Sequence, residues 1–232
     1  MLSIIIPVYN EVQTIEKILL KIKKIKDIKK QIIIVDDGST DGTSEKLKNI
    51  KSKFKIDKII FNKKNKGKGY AIKLAQKKIS QKFTIIQDAD LEYDPKDYHK
   101  ILKVLKDKKH KIVYGSRVLN TNRYSNNNFT SNIRVLANHI LTIISNIINS
   151  QNLTDAHTCY KAFDSKVFKR LKLCENGFSF CPEVTTKISN LNLSIFEVEI
   201  SYKGRDYQSG KKISFIDGFD ALWTLFKYKI NK

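Results

Sequence analysis

Cysteine is scarce in this chain. Among 232 residues there are three, Cys159, Cys174 and Cys181, and no two form a Cys-x-x-Cys pair. An odd count without metal spacing excludes a disulfide framework and predicts reduced thiols in a cytosolic setting. Long apolar runs are missing too. The nearest candidate, residues 133–148, is interrupted by Asn138, His139, Ser145 and Asn146. No transmembrane helix is therefore expected, and this segment fits either a core helix or one lying on a membrane surface. The N-terminus lacks the basic region and small-residue cleavage site of a secretory leader. No repeat or linker divides the sequence, so one domain over residues 1–232 is expected.

Acidic residues are in short supply, 23 against 44 basic ones, for a net charge of +21. That balance points to nucleic acid, an anionic membrane surface or an anionic substrate. The excess is mostly lysine and is spread along the chain. Between Lys17 and Lys30, basic residues surround an apolar stripe of Ile15, Ile18, Leu19, Ile22 and Ile25, the pattern of a solvated helix face. A hydrophobic content of 41% is enough for a sizeable core and excludes wholesale disorder.

The first half alternates short apolar runs with helical periodicity. Residues 3–8, 31–36, 58–62, 83–87 and 111–114 read as strands. Residues 12–25, 43–50, 68–79 and 96–105 read as helices. This order predicts an α/β fold, a mostly parallel sheet flanked by helices. Ligands of such sheets bind beyond the carboxyl ends of the strands. The second half is less regular. It reads as a polar loop at 121–132, a long helix to about Ile148, strands at 159–163 and 195–202, and a helical stretch at 183–190. A basic loop at 203–214 and an amphipathic helix at 215–228, carrying Phe219, Leu222, Trp223 and Phe226, complete it.

The polar clusters fall at the strand ends. Asp88-Ala89-Asp90 follows the fourth strand, and its two carboxylates face the same way. Hard oxygen ligands of this kind hold Mg²⁺ or Mn²⁺, whose shell substrate phosphates complete. At the first strand end, Tyr9 can stack on a base and Glu11 can accept from a polar ligand. At the second, Asp36 and Asp37 can accept from a ribose or base edge, and Gly38 permits a tight turn. Before the third helix, residues 65–69 (Asn-Lys-Gly-Lys-Gly) allow close backbone approach and offer a helix N-terminus to an anion. They lack the Gly-Lys-Ser/Thr of a P-loop.

Taken together, these segments resemble the family 2 glycosyltransferases of the GT-A fold, and most of all the polyprenyl-phosphate (dolichyl-phosphate mannose synthase-like) glycosyl synthases. The stretch Asp88-Ala89-Asp90-Leu91-Glu92-Tyr93-Asp94-Pro95 is similar to that group's Asp-Ala-Asp-Leu-Gln-His-Asp-Pro. Gly115-Ser116-Arg117, the Asp155–Phe163 segment, and Gly204-Arg205 with Gly210-Lys211-Lys212 also match. The resemblance implies that Pro7, Tyr9, Glu11, Asp36, Asp37, Asn65, Gly67, Lys68 and Asp88 hold the nucleotide. It implies Asp88, Asp90 and Glu92 as metal ligands, and Arg117, Arg205 and Lys211 as phosphate-neutralising groups. Glu92 and Ser209 depart from the family pattern. Residues 1–117 would take the donor and 118–232 the acceptor.

The implied reaction is inverting, metal-dependent transfer of one hexose from a GDP- or UDP-sugar to a polyprenyl phosphate. It would occur at the cytoplasmic membrane face, with the protein peripherally bound. A separate membrane-protein partner is compatible with this reading. An ionised lipid phosphate needs no general base. A glycan or other hydroxyl acceptor is the alternative and would require one, for which Asp155 is the candidate. The Gln-x-x-Arg-Trp signature of processive relatives is missing, which favours single-sugar transfer. A nucleic-acid-binding module would explain the charge, but not the acidic strand ends.

Overall fold

The computed structural model describes residues 1–120, 129–204 and 215–230, without the side chains of 129–134 and 215–217. Arg205, Ser209 and Lys211 lie outside the described residues, as does most of the expected basic loop.

Seven strands form one sheet in the order β3-β2-β1-β4-β6-β5-β7. β1 (Leu2–Val8) is central and pairs in parallel with β2 (Lys30–Asp36) and β4 (Phe83–Ile86); β2 pairs in parallel with β3 (Lys58–Phe61). These strands are apolar on both faces because helices cover both. Ile4, Ile5, Ile6, Ile33, Ile34, Ile85 and Ile86 are fully enclosed. The covering helices of this half are α1 (Ile15–Lys24), α2 (Thr43–Ile50), α3 (Lys68–Gln76) and α4 (Tyr98–Lys106). α1 buries Ile15, Ile18, Leu19 and Ile22 and turns its lysines outward. It starts three residues later than expected, after a turn in which Thr14 N–H and Ile15 N–H donate to the Glu11 carbonyl (3.1 and 2.9 Å). Glu11 N–H donates to the Thr43 hydroxyl (3.0 Å) and Val12 N–H to the Asp41 carboxylate (3.1 Å).

The second half departs from a simple parallel order. β6 (Lys161–Asp164) inserts antiparallel between β4 and β5 (Ile112–Ser116), and β7 (Phe196–Glu199) joins β5 in parallel. β5 runs two residues beyond the expected end, which sets Arg117 at its carboxyl terminus. α5 (Phe129–Asn149) begins inside the stretch expected to be loop. A short helix, α6 (Ser165–Arg170), was not expected from periodicity. It is capped by the Asp164 carboxylate, which accepts from Lys166 N–H at 2.9 Å. α7 (Phe180–Asn190) and α8 (Phe215–Ile230) complete the described elements. Among them, no helix is long and apolar enough to cross a membrane.

Candidate active site

The carboxyl ends of β1, β2, β4 and β5 open into one cavity of about 360 Å³. Pro7, Tyr9 and Glu11 line it from the end of β1, Asp37 from β2, and Asn65, Gly67 and Lys68 from the entry to α3. Asp88, Asp90 and Glu92 line it from the end of β4, and Arg117 from β5. Parallel strands deliver their carboxyl ends to the same edge, so segments distant in sequence converge there.

Asp36 does not line the cavity. It is buried beneath the turn, where its carboxylate accepts from Ser39 N–H (3.1 Å) and from the Ser44 hydroxyl. Asp37 reaches the cavity while fastening its wall: it accepts from Asn62 Nδ2 (2.7 Å), Lys66 N–H (2.9 Å) and Gly67 N–H (2.6 Å). Two consecutive carboxylates at this strand end thus divide their work. One builds the turn and the other ties the 65–67 segment to β2.

The glycines of that segment serve the chain itself. A Cβ on Gly67, whose φ is +99°, would lie 2.5 Å from the Asn176 carbonyl oxygen, and one on Gly69 would lie 2.5 Å from that of Glu175. Tyr70 N–H donates to the Asn176 carbonyl at 3.0 Å. The close approach read from sequence is real, but its partner is the backbone of residues 175–177. The first-turn amide of Tyr70 is therefore not offered to an anion.

Lys68 projects into the cavity and pairs with Asp88 (Nζ–Oδ1 2.6 Å), with Cys159 Sγ 3.2 Å away. Burial alone would lower its ammonium; the Asp88 charge outweighs that and holds it well above the usual lysine range. Asp90 accepts from Glu92 N–H (3.1 Å), which turns the loop. Glu92 accepts from the Tyr202 hydroxyl at 2.8 Å.

Asp88, Asp90 and Glu92 share a cavity wall, yet among the described residues no three Asp, Glu, His or Cys side chains converge as an ion cage. Glu92, read from sequence as the third carboxylate of a metal site, accepts from Tyr202 beside the cavity. The hard oxygens of Asp88 and Asp90 do fit a Mg²⁺ or Mn²⁺ ion whose shell a diphosphate completes, since such ions use one or two carboxylates plus substrate phosphates.

Asp155 is fully buried and does not line the cavity. It grips Arg117 in a bidentate pair, Nε–Oδ2 2.6 Å and Nη2–Oδ1 2.8 Å, and accepts from Arg117 N–H at 3.2 Å. Burial would raise its carboxyl, but the Arg117 guanidinium and its hydrogen bonds pull it down to about 2. Such a group is a poor base. Its loop is fixed in turn by Glu197 of β7, which accepts from Thr154 N–H (2.6 Å), the Thr154 hydroxyl (2.8 Å) and Asp155 N–H (2.9 Å). Lys161, from the matched acceptor-side segment, also points inward. It donates to the Ala156 carbonyl at 2.8 Å and sits 3.8 Å from the Tyr114 ring centre.

Several lining residues had no role in the sequence reading: Tyr93, His157, Cys159, Phe178, Cys181 and Tyr202. Tyr93 and Tyr202 meet edge to face (5.3 Å), and the Arg117 guanidinium lies 5.2 Å from the Tyr202 ring centre. His157 Nε2 is buried without a hydrogen-bond partner among the described residues. Burial, with Lys161 nearby, lowers its imidazole to about 4, so it is neutral at physiological pH. Tyr93 and His157 lie within the matched motifs, which was the available signal. Nothing local marked Phe178 or Cys181.

The family model described as "Glycosyl transferase family 2" matches residues 3–172. A UDP-N-acetylglucosamine–dolichyl-phosphate N-acetylglucosaminyltransferase of Methanococcus voltae is 26% identical over 100% of this chain and 97% of its own length. A dolichol-phosphate mannosyltransferase of Pyrococcus furiosus is 27% identical over 91% of this chain and 60% of its own. The glucosyl-3-phosphoglycerate synthase of Mycobacterium tuberculosis, solved with Mn²⁺, UDP and product, superposes with a TM-score of 0.71. It is 15% identical, over 98% of this chain and 79% of that one. At that identity the likeness shows the fold: the mixed α/β arrangement of GT-A glycosyltransferases.

Proposed function

The chain belongs to glycosyl transferase family 2, and from that premise we propose that it moves one hexosyl group from a GDP- or UDP-sugar to a polyprenyl phosphate, inverting the anomeric carbon. The observation that carries this reading is the state of Asp155. Asp155, the candidate base for a hydroxyl acceptor, is buried, paired with Arg117 and held ionised with a pKa of about 2. A site without that base suits an acceptor that is already an oxyanion. The two relatives named for dolichyl phosphate support the same choice.

In this proposal Tyr9, Glu11 and Asp37 border the nucleoside, and Lys68 stands beside the diphosphate. Mg²⁺ or Mn²⁺ at Asp88 and Asp90 would supply positive charge for the leaving group. Arg117, fixed by Asp155, attracts the acceptor phosphate. Arg205 and Lys211 are proposed to add further counter-charge. The acceptor oxygen forms the new bond to the sugar C1 as the C1–oxygen bond to the diphosphate breaks, and the nucleoside diphosphate leaves with the electron pair. Residues 1–117 take the donor and 118–232 the acceptor within one domain, at the cytoplasmic face of a membrane.

The test is transfer of label from nucleotide hexoses to polyprenyl phosphate by the purified chain, followed by organic extraction. Label is expected in the lipid phase with Mg²⁺ or Mn²⁺ and at background with EDTA. Label that stays water-soluble with every donor and metal rules out the lipid acceptor.

A further inference from the structure

α5 is built inside out. A helix on a protein surface normally turns its apolar stripe inward. Here the buried face is Thr142, Ser145 and Asn149, while Leu136, Ile140, Ile143 and Ile147 are exposed, Ile147 at 76%. The inward residues are tied to their surroundings, although Asn149 Oδ1 is buried without a hydrogen-bond partner among the described residues. The Thr142 hydroxyl donates to the Asn138 carbonyl (2.8 Å), and the Asn149 carbonyl accepts from the Ser189 hydroxyl (2.7 Å). The inversion is therefore a packed arrangement rather than a rotated helix.

α8 packs beside α5, and α7 packs against both. α8 repeats the outward pattern with the same 4-3-4 spacing: Phe219, Trp223, Phe226 and Ile230, at 75%, 70%, 48% and 79% exposure. Its inner face, Ala221, Leu225 and Tyr228, is buried in the ordinary way. Eight of the thirteen exposed large hydrophobic residues of the described chain thus stand on two adjacent helices. A contiguous apolar face of this kind marks an interaction surface.

We propose that the paired outer faces of α5 and α8 are a docking surface for an anionic lipid bilayer. Three observations select lipid over a second copy of the chain. A chain of net charge +21 repels its own copy and is drawn to anionic headgroups. The α8 row combines tryptophan and phenylalanine, side chains that suit the membrane–water boundary. From Val135 to Asn149, α5 carries no Asp, Glu, Lys or Arg, so its outer face enters the acyl boundary without burying a full charge. The surface also connects to the site: Asn138 of α5 donates to Asp155, the partner of Arg117, at 3.5 Å. The inference shares its setting with the lipid-acceptor reading, but it is tested by binding alone.

Trp223 is the sole tryptophan and reports directly on the face. The full chain, without nucleotide, is mixed with phosphatidylcholine vesicles with or without phosphatidylglycerol, and followed by flotation and tryptophan emission. Expected are co-flotation strongest with phosphatidylglycerol, a blue shift of Trp223, and quenching by brominated acyl chains. Ile140→Gln with Ile143→Gln, and separately Phe219→Ser with Phe226→Ser, should weaken partitioning roughly tenfold or more while circular dichroism is unchanged. Unshifted emission with the protein left at the bottom of the gradient overturns the proposal. Equal binding by both variants does so as well, by assigning the attraction to diffuse charge. A dimer in light scattering whose Trp223 is already blue-shifted without lipid gives the face to a second copy. Vesicle binding without transfer to polyprenyl phosphate refutes the acceptor reading and leaves this one standing; transfer without vesicle binding does the reverse.

Discussion

The carboxylates at the end of β4 and those behind β5 have the same chemistry and opposite situations. Asp88, Asp90 and Glu92 stand on the cavity wall. Asp155 and Glu197 lie behind it, each accepting three or more hydrogen bonds from the chain. The first group is placed to meet a ligand. The second spends its charge holding Arg117 in place. In the proposed reading Asp155 is a positioning residue rather than a base, and a substitution there reads out stability together with activity.

The contrast is broken most forcefully at Asp155. Asp155→Ala removes the bidentate partner of a largely buried guanidinium and should cost about 3–5 kcal/mol in urea unfolding. If stability is unchanged, the pair does not hold the fold. Asp90→Asn should behave in the opposite way, with transfer falling about 10²–10³-fold and the unfolding midpoint almost unmoved. A large drop in stability would place Asp90 with the structural carboxylates instead. Glu197→Gln removes an acceptor from the Thr154–Asp155 turn and should cost about 1–3 kcal/mol. It should also lower kcat for the lipid acceptor more than it alters KM for the donor. Equal changes in both would mean that Glu197 does not act through Arg117.

Acid unfolding sharpens the same contrast with a smaller effect. The Asp155 carboxyl is depressed from 3.8 to about 2, so its contribution is fully present above pH 4 and is lost as pH falls toward 2. That contribution is about 2 kcal/mol. His157 is lowered from 6.5 to about 4, so the unfolded chain binds its proton first and stability declines as pH falls from 6.5 to 4. His157→Gln should flatten that upper segment in pH-dependent denaturation and leave the lower one intact.

The donor edge was legible because parallel strands place their signals at their own ends. Pro7, Asp37, Asp88 and Arg117 each follow an apolar run, and the sheet gathers them. The split between Asp36 and Asp37 was not legible, since which carboxylate turns inward depends on Ser39 and Ser44 across the turn. The insertion of β6 was hidden for a related reason: four residues carry no orientation, and the strand's neighbours lie about 50 and 80 residues away in sequence. The hydrophobic pattern of α5 announced a helix. It did not say which face points inward, because its polar residues find partners in segments distant from the helix stripe, among them Leu153, Asp155, Ala156 and Ser189.

The seam at Gly67 and Gly69 has an asymmetry of its own. One side consists of two absent side chains, and the other of the carbonyls of Glu175 and Asn176, which every residue type supplies. Sequence change is therefore licensed unequally across one contact. Positions 175 and 176 keep their half of the seam whatever residue they carry, whereas the smallest addition at 67 or 69 pries the entry of α3 away from the 175–177 segment and carries Lys68 with it.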